Sequence, residues 1–370
     1  MSARRSDHTE FRRVTIVGVG LIGGSLGLAI QHRFPSCVVT GVDRPEVLRT
    51  ARRRGAIHHG ETSVARGVRE ADLVILAAPM PAILRLLPVV GRSVSSRAIV
   101  TDTGSVKSPV RDRSRTLFPG GNFIGGHPMT GAEFSGVRAA HPLLFENAFC
   151  VLCPSRAANR SALRRLARFY GALGSRVVVL PAEEHDRAVA ALSHVPQLAA
   201  VALMRSAAAQ PLTRSHLRLG AGGFRDMTRI ASSPFALWKD ILLQNRREVR
   251  GALARFVKEL QRSRRALAGG TAGLASQFRE AARLRAQIPR GMKGLQSHVP
   301  ELTVYLPDRP GSLAAVTSAL ARNRVNIKDL ELLKVREGTG GTFRMAFESS
   351  KERARARRIL ARAVIRLESR

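Results

Sequence analysis

The sequence predicts an α/β fold carrying a doubly wound sheet, followed by an all-helical domain and a small α+β module. Three observations predict it. A Gly-rich turn sits between an apolar strand and a helix near the N-terminus, short apolar runs then alternate with helix-length segments to about residue 180, and long helical periodicity takes over after that. At 370 residues with 44% apolar content, the chain can give two or three domains a core each.

"RRVTIVGVGLIGGSLGLAI" reads as a strand (13–17), a glycine turn and a helix. Gly18, Gly20 and Gly23 form a GxGxxG, and the next apolar run, "CVVTGVD", ends in Asp43, 20 residues after Gly23. A dinucleotide site needs this arrangement. The backbone over Gly18, Gly20, Leu21, Ile22 and Gly23 approaches the pyrophosphate at the helix N-terminus, and the acid takes the adenosine ribose hydroxyls. Asp43 repels a ribose 2′-phosphate and favours NAD over NADP, a preference tempered by Arg44 beside it. Further strands follow in "ADLVILAAP" (71–79), "RAIVTDTGSVK" (97–107), "GNFIGGHP" (121–128), "AFCVLCP" and "SRVVVLP". The ends of these runs fall at the carboxyl edge of the sheet, where such folds bind ligands: "AAPMP" with Ala78 and Pro79, then "TDTGSVK" and "GGHPMTG".

"PAEEHDRAVAALSHVPQLAAVALMRSAAA" reads as one long helix bent near Pro196. "SSPFALWKDILLQNRREVRGALARFVKELQRSRRAL" reads as another, with Ser233 as N-cap and Pro234 as first helical residue. Helices apolar on several faces must bury them, and a partner subunit is the economical cover, so a homodimer is expected. "QIPRGMKGLQSHVP" (287–300) reads as a linker. Beyond it a strand, a helix, two strands around "GTGG" and the helix "KERARARRILARAV" begin a βαββαβ module, with only "VIRLES" left for its last strand. The expected domains are 11–180, 181–290 and 299–370.

Composition narrows the function. The net charge of +34 is nearly all arginine spread along the chain, with 5% aromatic residues, so it reads as a solvated basic surface that attracts anionic metabolites rather than as a nucleic-acid site. Three cysteines argue against a disulfide framework, and Cys150 and Cys153 lie in a strand that points them to opposite faces. The densest apolar run, 188–204, carries His194, Pro196 and Gln197 and reads as a buried helix rather than a membrane span. The N-terminus lacks the apolar core of a secretory signal, which points to the cytoplasm.

"GGHPMTGAEFSG" (125–136) sets four glycines around His127, an imidazole presented for proton transfer where the nicotinamide would lie. In "GAGGFRDMTRIASSPFALWKD", Asp226 and Arg229 stand at i, i+3 and Arg225 stands four before Arg229. On one helix face, Asp226 would orient Arg229 toward a carboxylate, and "FALW" implies burial. His185, Asp186 and His194 invite a metal reading. Nine residues on a straight helix turn the two imidazoles to opposite faces, however, so no shared metal site is expected and His194 reads as a hydrogen-bonded core histidine.

Taken in order, "GVGLIGGSLG", "DTGSVK", "GGHPMTGAEFSG", "SHVPQ", "GGFRDMTRIASSPFALWKD" and "PDRPGSLAAV" resemble prephenate dehydrogenases with a C-terminal ACT domain, over about residues 11 to 350. The resemblance implies a Rossmann NAD-binding domain, an all-helical dimerisation and substrate domain, and a ferredoxin-like ACT regulatory domain. It implies oxidative decarboxylation of prephenate to 4-hydroxyphenylpyruvate in tyrosine synthesis. By the same resemblance His127 accepts the proton of the ring hydroxyl, and Ser105 hydrogen-bonds that hydroxyl and His127. Arg229 holds a substrate carboxylate, with Arg225 the competing candidate, and His194 lies near the substrate side chain. Glu133 stands at the pocket mouth, and Gly222 lies in a glycine loop that is a candidate for contribution by the partner subunit. "PDRPGSL" and "VNIKD" (325–329) suggest a tyrosine effector turn near Asp308, Gly311 and Asn326, the alternative being a dimerisation appendage without ligand. Gln197 stands where many relatives carry a second histidine, which leaves arogenate, the amino-acid form of the substrate, as the alternative to prephenate.

Two rivals are weighed. β-Hydroxyacid dehydrogenases and imine reductases share the plan, but the former use a mid-chain lysine and this chain has none between Lys107 and Lys239. A regulatory or nucleic-acid-binding module would have no use for Ser105, His127 and Arg229 beside a full cofactor site.

Overall fold

Eight strands form the larger sheet in a computed structural model that describes residues 10–131, 135–155, 158–269, 272–287, 300–307, 309–336, 340–362 and 366–367. They are β1 (Arg13–Val17), β2 (Val38–Val42), β3 (His59–Glu61), β4 (Leu73–Leu76), β5 (Ile99–Asp102), β6 (Phe123–Pro128), β7 (Phe149–Pro154) and β8 (Arg176–Val179). The intervening helices are α1 (Leu21–Arg33), α2 (Pro45–Arg53), α3 (Val64–Val68), α4 (Met80–Ser93), α5 (Ser108–Ser114) and α6 (Arg160–Ala172). The strand order is β3-β2-β1-β4-β5-β6-β7-β8, parallel from β3 to β6, with β7 antiparallel to β6 and β8 parallel to β7.

Parallel strands buried on both faces need continuous apolar runs, and β4, "LVIL", is buried at every residue. Leu26, Ile30, Phe169 and Tyr170 cover one face, and Ile83, Leu87 and Val90 the other. The order reverses between β1 and β4, and the crevice outside their carboxyl ends is the place where this topology binds ligands. Cys150 and Cys153 are buried free thiols on β7, and burial pushes both far up the pKa scale. Both stay protonated and inert.

The chain divides into two compact units, residues 1–274 and 275–370, so the sheet and the helical segment after it belong to one unit. That segment holds α7 (Ala182–Val189), a π-helical stretch (Ala190–His194), α8 (Val195–Ala208), α9 (Pro211–Ser215), α10 (Gly222–Thr228), a 3₁₀ turn (Arg229–Ser232), α11 (Phe235–Gln244) and α12 (Arg246–Ala268); α13 (Ala272–Arg285) follows. Near Pro196, where a bend was expected, the helix passes through the π stretch just before the proline, which has no N–H to continue the ladder. The single helix expected from Ser233 is two helices. Pro234 is the cap rather than the first helical residue, and the helix breaks at Asn245, whose φ of −106° and ψ of 18° leave helical geometry.

The burial read from "FALW" is absent in the single chain, where Phe235 is 70% and Leu237 62% exposed. One helical span among the described residues, Ala182–Ala208, is long and apolar enough to cross a membrane. It instead buries His185, Asp186 and His194 against the rest of its unit.

The second unit is the expected βαββαβ module. It comprises β9 (Glu301–Leu306), α14 (Ser312–Arg322), β10 (Asp329–Arg336), β11 (Gly340–Ala346), α15 (Ser350–Arg362) and β12 (Arg366–Leu367). Its order is β10-β11-β9-β12, antiparallel throughout, so the short tail does supply the last strand, two residues paired with Tyr305 and Val304.

Candidate active site

The glycine turn after β1 is shaped by contact with its neighbours. Gly18 has φ +94°, and a Cβ there would lie 2.6 Å from the Ala77 carbonyl oxygen; a Cβ on Gly23 would lie 1.9 Å from the Gly18 oxygen. Only glycine lets strand, turn and helix close this tightly. A Cβ on Gly20, by contrast, would meet nothing within 4 Å, so the turn leaves open space at the N-terminus of α1. That helix start has no acidic residue and no side-chain cap, and its first amides remain available to an anion. Asp43, at the end of β2, accepts from the Val19 and Arg44 amides, each at 2.7 Å, which fixes the acid beside the turn. Arg44 is exposed and pairs with Glu46. Leu21 and Ile22 begin α1, and Ala78 and Pro79 follow β4 across the switch point, Pro79 capping α4. Open cradle, free helix amides and positioned acid together fit NAD.

His127 is the last residue but one of β6, opposite Val151 of β7. Its Nδ1 lies 2.8 Å from His185 Nε2, and His185 Nδ1 lies 2.8 Å from Asp186 Oδ1. The carboxylate also accepts the Lys107 and Ser108 amides, both at 2.8 Å, at the N-terminus of α5. Burial pushes the Asp186 carboxyl upward, but the hydrogen bonds from His185, Ser108 and Lys107 outweigh it and hold its pKa below the ordinary value.

The tautomer assignment that satisfies each contact puts a proton on His185 Nδ1 toward the Asp186 carboxylate, leaves His185 Nε2 as acceptor and has His127 donate from Nδ1. The lone pair of His127 Nε2 is thereby left for substrate. Burial first, with the nearby Lys107 charge, pushes the His127 pKa well below 6.5, so the ring is neutral at neutral pH. The network gives a base with a fixed tautomer and no resident proton on its free nitrogen.

A buried ion pair underlies the network. Lys107 and Asp102 have fully buried side chains and pair directly; Lys107 Nζ also donates to the Gly126 carbonyl at 2.6 Å. Asp102 accepts in addition from the Gly104 amide at 2.9 Å and the Gly126 amide at 3.1 Å. The pair thus staples the "DTGSVK" loop to the residue before His127.

The helical segment closes the same neighbourhood. Asn245, buried at the break between α11 and α12, donates to the Asp186 carbonyl at 2.8 Å and lies 3.3 Å from His194 Nδ1. The expectation that His185 and His194 point apart fails. The π stretch advances each residue through a smaller angle than an α-helix does, and both imidazoles are buried, His185 against His127 and His194 against the Asn245 amide that also reaches the Asp186 carbonyl. His194 is itself pushed down to about 4 by burial, with Asp186 opposing, and packs edge-on to Trp238.

Other predicted residues fall less tightly. Ser105 is half-buried in the loop before α5, but His127 Nδ1 is taken by His185 rather than by the Ser105 hydroxyl. Gly222, Arg225, Asp226 and Arg229 are all exposed. Asp226 does not orient Arg229, because α10 ends at Thr228 and Arg229 opens the 3₁₀ turn; Arg225 Nε donates instead to the Gly220 carbonyl at 2.9 Å. Glu133 and Asp308 lie outside the described residues. In the second unit Gly311 caps α14 with φ +88° beside a cavity of about 200 Å³ lined by Leu306, Arg309, Ser312, Leu313, Gly341 and Phe343. Asn326 is exposed and does not line it.

Sequence reasoning missed the Asp102–Lys107 pair and the supporting roles of His185, Asp186 and Asn245. The available signals were a charged residue at each end of an otherwise apolar and small "DTGSVK" and the adjacent His-Asp in "EEHDRAV".

Comparison with known proteins places the chain among relatives. Residues 26–179 match the family model "Prephenate dehydrogenase, nucleotide-binding domain", 181–280 "Prephenate dehydrogenase, dimerization domain", and 301–363 "ACT domain". The prephenate dehydrogenase of Bacillus subtilis is 35% identical over 351 residues, covering 93% of this chain and 94% of that protein. The crystal structure of prephenate dehydrogenase from A. aeolicus in complex with hydroxyphenyl propionate and NAD+ superposes with TM-score 0.69 at 30% identity, covering 75% of this chain and 98% of that one. Synechocystis arogenate dehydrogenase superposes with TM-score 0.65 at 28% identity, covering 74% and 96%.

Proposed function

Because the chain belongs to the prephenate dehydrogenase family, we propose that His127 is the base of its reaction and that Asp186 and His185 hold that base ready. The activity is NAD-dependent oxidative decarboxylation of prephenate in tyrosine biosynthesis. NAD, when bound, supplies the hydride acceptor. It would be held by the turn at Gly18, Gly20, Leu21, Ile22 and Gly23, by Asp43 with Arg44 at the adenosine ribose, and by Ala78 and Pro79.

His127 Nε2 accepts the proton of the ring hydroxyl as the carbon that bears it is oxidised. The carbonyl that forms draws electrons through the ring, the ring carboxylate leaves as carbon dioxide, and the product is aromatic. Ser105, half-buried at the same sheet edge, donates to the hydroxyl oxygen. Arg229 binds a substrate carboxylate, with Arg225 as its competitor and Gly222 in the adjoining loop, and His194 presents Nε2–H to the side chain. The observation that carries this reading is the Asp186–His185–His127 chain of hydrogen bonds, which occupies His127 Nδ1 and leaves Nε2 free to meet substrate. Formation of NADH by the purified protein with NAD and prephenate tests it, and absence of turnover with NAD bound would overturn it.

Arg229→Ala removes charge-assisted hydrogen bonds worth about 1.5–3 kcal/mol. The apparent KM for prephenate should rise by about tenfold or more, with a smaller change in kcat, in steady-state assays. An unchanged KM moves the role to Arg225.

The exposed apolar side chains of α11 and α12, among them Phe235, Leu237, Phe256 and Leu260, are read as the surface that a second copy covers. Light scattering should give a solution mass twice the 40.2 kDa of one chain, and a mass of one chain would exclude the homodimer. The cavity beside Gly311 is read as a tyrosine site, which binding must couple to a less active state. Unchanged turnover at saturating tyrosine would remove that role.

A further inference from the structure

Asn245 stands at the break between α11 and α12 and is 3% exposed. Its amide nitrogen reaches two residues of the span that carries the relay, donating to the Asp186 carbonyl at 2.8 Å and lying 3.3 Å from His194 Nδ1. Asp186 is on α7, before the π stretch, and His194 is the last residue of that stretch. The Asp186 carbonyl shares the Ala190 amide with the Arg187 carbonyl, a bifurcation at the entry to the π stretch that leaves room for a second donor. The orientation of the Asn245 amide follows, because the reversed group would set its oxygen against the Asp186 carbonyl oxygen. With an NH2 group facing it, His194 Nδ1 is an acceptor. Burial holds the His194 pKa at about 4, so the ring is neutral and its one proton is on Nε2.

We propose that Asn245 is a positioning residue for the reaction, one amide proton holding the Asp186 carbonyl and the other fixing His194 as the Nε2–H tautomer. The inference rests on the reaction assigned above and adds to it a residue that acts through two others. Through Asp186 it steadies the hydrogen bonds that run from the carboxylate to His185 and on to His127, at the ring end of the substrate. Through His194 it presents an N–H donor to the side-chain end, where prephenate carries a keto oxygen and a carboxylate, both acceptors. The opposite tautomer would turn a lone pair toward those acceptors and repel them. One buried amide thus clasps the two ends of the π stretch and sets both the base and the donor.

The test reads the His194 tautomer in protein carrying isotope-labelled histidine, by long-range proton–nitrogen NMR spectra in which the His194 signal is identified by its loss in His194→Gln. Steady-state kinetics and NAD affinity are measured alongside in Asn245→Leu and Asn245→Asp. Wild-type His194 should carry its proton on Nε2, and a proton on Nδ1 would overturn the proposal whether or not the variants fold. Asn245→Asp keeps the shape but presents an acceptor, so the His194 proton should move to Nδ1. Asn245→Leu should raise the KM for prephenate and lower kcat, each about fivefold or more, with NAD affinity unchanged. Wild-type kcat and KM in Asn245→Leu would assign Asn245 to helix packing alone and overturn the proposal. Absence of prephenate turnover in the wild type would overturn the reaction and this role with it, even with the tautomer as expected, so the two failures are told apart.

Discussion

His127→Asn should lower turnover by about a hundredfold or more while NAD affinity stays within about twofold of wild type. Asparagine preserves a donor toward His185 but offers the substrate no basic nitrogen. The cofactor elements, from Gly18 to Asp43, lie on other strands and keep their contacts. Initial rates and fluorescence titration of NAD separate the two effects, and near-normal turnover would remove His127 from the mechanism.

A pH profile of the wild type gives the same argument a second reading. The base works unprotonated, and its pKa is pushed well below 6.5, so kcat/KM should hold level as pH falls through 6.5 and drop only below that. A limb centred at 6.5 would mean a ring exposed to ordinary solvation, and the chain from Asp186 would then have no bearing on the base.

Much of this was legible in the sequence, because backbone requirements leave local traces. The turn at Gly18 and Gly23 reads out as GxGxxG since no other residue fits beside the Ala77 and Gly18 carbonyls. The acid at Asp43 follows from the length of one helix and one strand, and His127 from its place at a strand end. What did not read out depends on contacts between distant segments. His185 and His194 were assigned to opposite faces by α-helical arithmetic, which a five-residue π stretch overturns. Asn245 looked like the interior of a helix, yet its side chain reaches the Asp186 carbonyl across 59 residues of sequence. The Arg229 geometry failed for a related reason, since i, i+3 pairing presumes that the helix continues through both residues.

Lys107→Met should destabilise the fold by about 3–5 kcal/mol, because it leaves the Asp102 carboxylate buried without its cation. Both side chains are 0% exposed, and the two amides that remain, from Gly104 and Gly126, cannot replace a cation. Such a loss approaches the whole stability of a marginal domain, so the single variant alone could be lost to misfolding. The double variant Lys107→Met, Asp102→Asn resolves this. A neutral amide at position 102 keeps one of the two backbone bonds, since the Gly104 and Gly126 amides meet different oxygens and asparagine has one, so part of the stability should return in urea unfolding. Turnover should not return with it, since Lys107 Nζ also holds the Gly126 carbonyl, one residue before His127. A cost below about 1 kcal/mol for the single variant, or full activity in the double one, would mean that the pair neither carries a buried charge nor positions the base.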